Sequence, residues 1–248
     1  MKTTLYRMTI ALLLLVSTGR ICAQGGGPPM ITDDPGTPAT GEWEINASIN
    51  SETHKGEKEM EAPLLDINYG LNERTQLRIE MPYLLTKVEG ESFNGRQGDV
   101  GVGIKYRFFD EDEDFLSFSM YPAVVFATAK DSYNEYALPF QLEKTFGKWV
   151  LGAQLGYSYV EDDQDYFIGG FLVGYGFSTK FEAMGEVDFQ MDRLTLGEVE
   201  PGTVVNFGIR YEISQAIKLI ASMGTGVTAP KGTSKIDFIS FTGFQFTI

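Results

Sequence analysis

The chain has 248 residues, 43% hydrophobic and 22% charged, with 34 acidic against 20 basic residues and a net charge of −14. Such an acidic chain repels nucleic acid, and no basic patch offsets the excess. The only cysteine, Cys22, leaves no disulfide, cysteine–zinc site or thiol nucleophile in a mature chain that starts after it.

Residues 1–23 read as a secretory signal. Lys2 and Arg7 form its basic region, 10–16 its apolar core, and Ile21-Cys22-Ala23 before Gln24 its cleavage site. Arg20 interrupts the apolar run well short of the roughly 18 residues of a membrane helix. Ile21 is too large to precede a lipidated cysteine. Cleavage removes Lys2, Arg7 and Arg20 and takes the charge from −14 to −17.

Residues 24–40, with Gly25-Gly26-Gly27-Pro28-Pro29 and Thr32-Asp33-Asp34-Pro35-Gly36-Thr37-Pro38, fit neither helix nor strand. They read as a flexible periplasmic lead. The alternative is a segment tucked into a barrel mouth.

Residues 41–248 alternate apolar and polar side chains. Trp43, Ile45, Ala47 and Ile49 oppose Glu44, Asn46, Ser48 and Asn50, and a polar loop is expected at 51–59. Leu65, Ile67 and Tyr69 oppose Asp66 and Asn68. After a tight turn at Asn72-Glu73, Leu77, Ile79, Met81 and Tyr83 oppose Gln76, Arg78 and Glu80, and a longer loop covers 87–97. The clearest run is 98–108: Val100, Val102, Ile104, Tyr106 and Phe108 on one face, Asp99, Gly101, Gly103, Lys105 and Arg107 on the other. It is about ten residues long, the length a tilted strand needs to cross a bilayer. Pro122 marks a bulge in the fifth strand, 115–128. Seven further strands follow to Ile248, with Phe171, Val187, Phe207 and Leu219 on their greasy faces.

About twelve strands result, joined by connections that alternate long and short. Bacterial outer-membrane barrels have even strand numbers, short periplasmic turns and long outer loops. Trp43, Phe108, Phe146, Trp149, Phe177 and Tyr211 lie near the short turns, and Tyr83, Tyr136 and Tyr159 near the long loops, as two interfacial girdles require. A soluble sandwich shows the same alternation. Uniform strand length, the loop pattern and glycines on the polar face favour the membrane. The expected fold is all-β: a single closed antiparallel transmembrane barrel over 41–248 in the cell outer membrane, with lipid as its partner.

The polar face would line a lumen with Glu44, Asp66, Arg78, Glu80, Asp99, Lys105, Arg107, Glu143, Glu182, Glu186, Asp188, Arg210, Glu212 and Lys218. These charges either set selectivity for cations and neutral polar solutes or pair and fill a narrow barrel, as Arg78 and Glu80 would beside Lys105, Arg107 and Asp99. Glu182, Glu186 and Asp188 are the expected source of cation preference. No metal or cofactor site is expected. Asp110, Asp112 and Asp114 lack the glycine of a calcium loop, since Phe115 stands there. Gly101-x-Gly103 has Tyr106 where a dinucleotide fingerprint needs glycine, and Gly232-Thr233-Ser234-Lys235 lacks the Walker order. His54 with Ser51 is the one pairing that a barrel hydrolase could use, but both fall in an outside loop.

Thr32-Asp33-Asp34-Pro35-Gly36-Thr37-Pro38, Gly41-Glu42-Trp43-Glu44-Ile45-Asn46, 63–71, Gln76-Leu77, 98–101 through 105–108, and Tyr121-Pro122 stand in an order that resembles the outer-membrane barrel family named for the meta-pathway of phenol degradation. The resemblance implies an outer-membrane transporter for small solutes, with hydrophobic or aromatic compounds among the candidates. The C-terminal Ile248, with Phe246 two residues back, departs from the aromatic end usual in such barrels. A channel passing solutes by diffusion is the leading expectation. A non-conducting structural or adhesive barrel is the alternative, and a lipid hydrolase the least supported.

Overall fold

The computed structural model describes residues 27–112, 115–130, 132–192, 201–229 and 233–248. The signal peptide assigned to 1–23 lies outside the described residues. The described residues hold no helix and fourteen strands: β1 (Trp43–His54), β2 (Glu57–Asn72), β3 (Thr75–Val88), β4 (Asn94–Gln97), β5 (Val100–Phe109), β6 (Ser117–Met120), β7 (Ala123–Phe126), β8 (Glu135–Phe146), β9 (Trp149–Val160), β10 (Tyr166–Gly176), β11 (Phe181–Asp192), β12 (Gly202–Ser214), β13 (Ile217–Thr228) and β14 (Phe238–Thr247). They make twelve staves. β4 and β5 both pair with β3 and form one stave broken at Gly98-Asp99. β6 and β7 both lie between β5 and β8 and form one stave broken at Tyr121-Pro122. Proline has no N–H to give the ladder there. Even so, Pro122 O accepts from Ile104 N at 3.0 Å, and Tyr121 N donates to Pro139 O at 2.9 Å.

All neighbours are antiparallel, and β1 pairs with β14 from Glu44↔Thr247 to Thr53↔Phe238, closing the ring. Closure is what hydrocarbon demands, because each unpaired backbone group there costs several kcal/mol. Reciprocal bonds of 2.9 Å between Trp43 and Ile248 finish the seam, so the chain end without an aromatic is still paired.

The two faces separate as the alternation requires. Val102, Ile104, Phe171 and Phe207 are exposed on the outside, while Asn46, Asp66, Lys105, Gln141, Glu186, Asn206 and Arg210 are buried within. The nine girdle aromatics all face outward, with Trp43–Tyr69 and Trp149–Tyr175 centroids 4.6 and 4.7 Å apart near the short turns and Tyr136–Tyr159 at 6.1 Å near the outer loops.

Two expectations are corrected. Residues 51–59 are not a loop: β1 and β2 continue as a ladder to His54↔Glu57, so the connection at 55–56 is as short as a periplasmic turn. Residues 87–97 include β4, which pairs with Tyr83–Thr86 of β3. The register slips within β2 between Glu61 and Leu64, where 62–63 together stand against Tyr83 alone, one residue in excess, and again near the turn between Gly70 and Asn72. The bulge at 62–63 exchanges the faces of β2: below it even residues point inward, above it odd ones do.

Candidate functional site

The lumen is not empty. Residues 27–40, expected to be a flexible periplasmic lead, fold back into the barrel instead. The segment leaves the periplasmic rim, where Ala39 N donates to Glu42 Oε2 at 3.0 Å and Thr37 Oγ1 to Glu73 O at 3.1 Å. Deep inside, Glu186 accepts the N–H groups of Ile31 and Thr32 at 2.9 and 2.8 Å, and Gln154 that of Asp33 at 2.9 Å. The chain turns there, with Gly27 N bonded to Thr32 O at 2.8 Å. Arg210 donates to Pro28 O and Gly27 O at 3.0 and 2.9 Å, and Ser222 to Pro29 O at 2.8 Å. A segment with no secondary structure must find partners for its backbone groups wherever it is buried. Here the barrel's polar side chains are those partners.

Two side-chain contacts fix the plug further. Met30 packs against Leu172 and Met184, an apolar patch on the inner wall. On the opposite wall Asp33 meets Lys105 at 2.9 Å and Arg78 at 3.6 Å, and Lys105 also donates to Asp34 O at 2.7 Å. Asp33 lies outside the strands. Burial pushes its carboxyl up, but Lys105 and Arg78 outweigh this and hold it below the usual aspartate range. Arg78 also binds Asp66 at 2.8 Å and Glu80 at 2.9 Å, and stands 5.5 Å from the centroid of the Tyr121 ring. Glycines make room: a side chain at Gly208 would strike Met30, one at Gly170 Thr32, and one at Gly103 the Tyr121 ring. Gly208→Leu should therefore unseat the plug without breaking a ladder bond, seen as new protease cleavage at 27–40 with unchanged β-sheet circular dichroism.

Two cavities flank the plug. One of about 410 Å³ opens toward the periplasmic turns, lined by Glu44, Asn68, Gln76, Glu143 and Lys218. The other, about 320 Å³, is lined by Asn46, Asn50, Glu52, Glu61 and Glu80. Asp33, Asp66 and Arg78 line both and form the neck between them. A third, about 400 Å³, lies beyond Ile31 beside Glu52, His54 and Asp188.

The expected lining residues separate into groups. Asp66, Arg78, Glu80 and Lys105 converge on the neck. Glu182 pairs with Arg210 at 3.5 Å, and Glu186 is occupied by the plug and by Asn206 at 2.9 Å. Glu44 and Glu143 face the periplasmic cavity, Glu212 lies near Lys218 at that rim, and Asp188 faces the outer cavity. Asp99 and Arg107 do not join Arg78 and Glu80. Asp99 accepts from Thr128 N at 2.8 Å and Ser132 Oγ at 3.1 Å at the outer end of β5, while Arg107 binds Asp110 at 2.7 Å and Glu73 O at 2.6 Å at the other. A strand rising about 3.3 Å per residue keeps them apart. His54 and Ser51 lie on opposite faces of β1, and His54 Nε2 stands 3.5 Å from Glu52 Oε2. Asp33, Thr32, Met30 and Tyr121 belong to this site as well, although no side-chain alternation singles them out.

A closed twelve-stave barrel with a lipid-facing apolar belt and a charged interior defines an outer-membrane protein with the channel fold. Residues 27–241 match the family described as "Putative MetA-pathway of phenol degradation", and the chain belongs to that family. Among solved structures it resembles the COG4313 outer membrane channel from Pseudomonas putida F1, at a TM-score of 0.73 and 12% identity, covering 90% of this chain and 100% of that one. It also resembles the NanC porin (TM-score 0.57, 10% identity, 82% and 98% covered) and the KdgM porin (0.56, 11%, 82% and 98%). No curated protein matches the sequence.

Proposed function

We propose that the protein is a channel through which small solutes cross the outer membrane by diffusion, with the plug setting the width of the path. The observation that carries this reading is the pair of polar cavities meeting at one neck, Asp33–Asp66–Arg78. The walls favour cations and neutral polar solutes at the outer mouth, where Glu52 stands directly opposite Glu59 and Glu61, Glu80 and Asp188 lie close by. Glu182 and Glu186 are spent on Arg210 and the plug, so the source of selectivity moves outward from where the alternation alone puts it. A Glu52→Gln, Glu59→Gln, Glu61→Gln triple variant should lose cation preference in planar-bilayer reversal potentials, and Glu182→Gln should not. A barrel with no conductance at all points to the structural or adhesive alternative.

Small aromatic or hydrophobic solutes are a second reading, favoured by one feature. The wall under Met30 is apolar: Leu172 and Met184 are buried there on lumen-facing positions. A displaced plug would bare this strip beside the polar neck, a surface suited to a molecule with one greasy and one hydroxylated side. The family's association with phenol degradation agrees with that chemistry. Liposome uptake of phenol against glycerol, with and without Gly208→Leu, separates the two readings.

A further inference from the structure

Above the bulge in β2, acidic and basic residues sort to opposite faces of the wall. Glu57, Glu59 and Glu61 turn to the mouth of the lumen, across from His54, Glu52 and Asn50 of β1. Lys58 turns outward and stands directly opposite Lys87 of β3. The outward face of β3 runs Leu77, Ile79, Met81, Tyr83, Leu85, Lys87, and the pair beneath the lysines is Met60↔Leu85. Lys58 and Lys87 are thus the first outward pair past the end of the apolar belt, the level of lipid headgroups. Like charges facing each other across two strands are destabilising unless something lies between them. Among the described residues neither lysine makes an ion pair, and the Lys87 ammonium instead lies 5.4 Å from the Phe93 ring centroid. Along the same row of the ladder the next outward residues are uncharged: Thr53 of β1 and Phe238 of β14.

We propose that Lys58 and Lys87, with Phe93 beside them, form a site on the outer wall for a phosphate-bearing lipid of the outer leaflet. An ammonium pair at headgroup depth, with alkyl stems lying on the belt and Met60 and Leu85 below to meet acyl chains, matches a phosphorylated glycolipid. The site sits on the lipid side of the wall and stands whether or not the lumen conducts.

The test titrates the detergent-folded mature barrel with bisphosphorylated lipid A and with the same lipid stripped of phosphate, reading bound lipid by native mass spectrometry. Loss of two ammonium charges at an anionic lipid surface means that Lys58→Gln, Lys87→Gln should weaken lipid A binding roughly tenfold or more. The Lys58→Arg, Lys87→Arg pair should keep it, and the dephosphorylated lipid should bind wild type as weakly as lipid A binds the glutamine pair. Equal binding of lipid A by wild type and the glutamine pair overturns the proposal. Should the glutamine pair not fold, the wild-type comparison decides: equal affinity for the two lipids overturns it, and preference for the phosphorylated one upholds it.

Discussion

Deleting residues 27–38 should raise single-channel conductance several-fold and turn the lumen's preference toward anions, while the barrel still folds. The ring of ladders is complete without the segment, since every stave pairs with two others and β1 closes on β14. What deletion removes is the matter between the two cavities, together with the carboxylate of Asp33. Lys105 and Arg78 lose that partner, and Arg210 loses the carbonyls of Gly27 and Pro28. An uncompensated buried charge would normally cost several kcal/mol. Here Arg78 keeps Asp66 and Glu80, Arg210 keeps Glu182, and water fills the vacated space around Lys105, so the penalty largely lapses. With the Asp33 carboxylate gone, the hydrated Lys105 ammonium at the waist then opposes the acidic mouth. An unchanged conductance in planar bilayers would mean that the plug does not restrict the path. A rise with undiminished cation selectivity would mean that the mouth, not the waist, governs ions.

The strands that cross the membrane were legible because lipid imposes its own pattern. Phe171, Val187 and Phe207 must be apolar where they touch hydrocarbon, so period two survives through β10, β11 and β12. Beyond the belt that demand ends. Thr53 and Lys58 face outward past the apolar belt, both sides of the ladder are polar, and a continuing hairpin looks like a loop. The bulge at 62–63 hid the rest by exchanging faces. Partners were readable only where they were cross-strand neighbours: Arg78 and Asp66 sit on adjacent paired strands. The true partner of Lys105, Asp33, lies in a segment with no period at all, and Glu186 and Arg210 bind that segment through its backbone, which leaves no mark in side-chain type. The one trace was the placement of glycine on the polar face, at Gly170 and Gly208, where a plug residue occupies the space that a side chain would fill.

Ile104→Arg should destabilise the barrel by about 2–4 kcal/mol, whereas Lys105→Arg, one residue along, should change stability far less. The two side chains leave β5 in opposite directions. Ile104 is 49% exposed on the outer surface, and Lys105 is 3% exposed inside. Ile104 pairs with Leu77, another outward residue of β3, so an arginine there has only hydrocarbon around it and must drag water or headgroups toward the belt. At Lys105 the guanidinium replaces one cation by another beside Asp33 and the Asp34 carbonyl, and the lumen supplies water to whatever it leaves unpaired. Urea unfolding of the barrel in lipid vesicles measures both variants. A soluble barrel that buried Ile104 in a sealed core would show the same ordering, so the companion result that decides is that the wild type folds in lipid vesicles and aggregates without lipid or detergent. Equal, small effects at the two sites would count against a hydrocarbon-facing outer wall, and with it against the membrane location on which the lumen, the plug and the lipid site all depend.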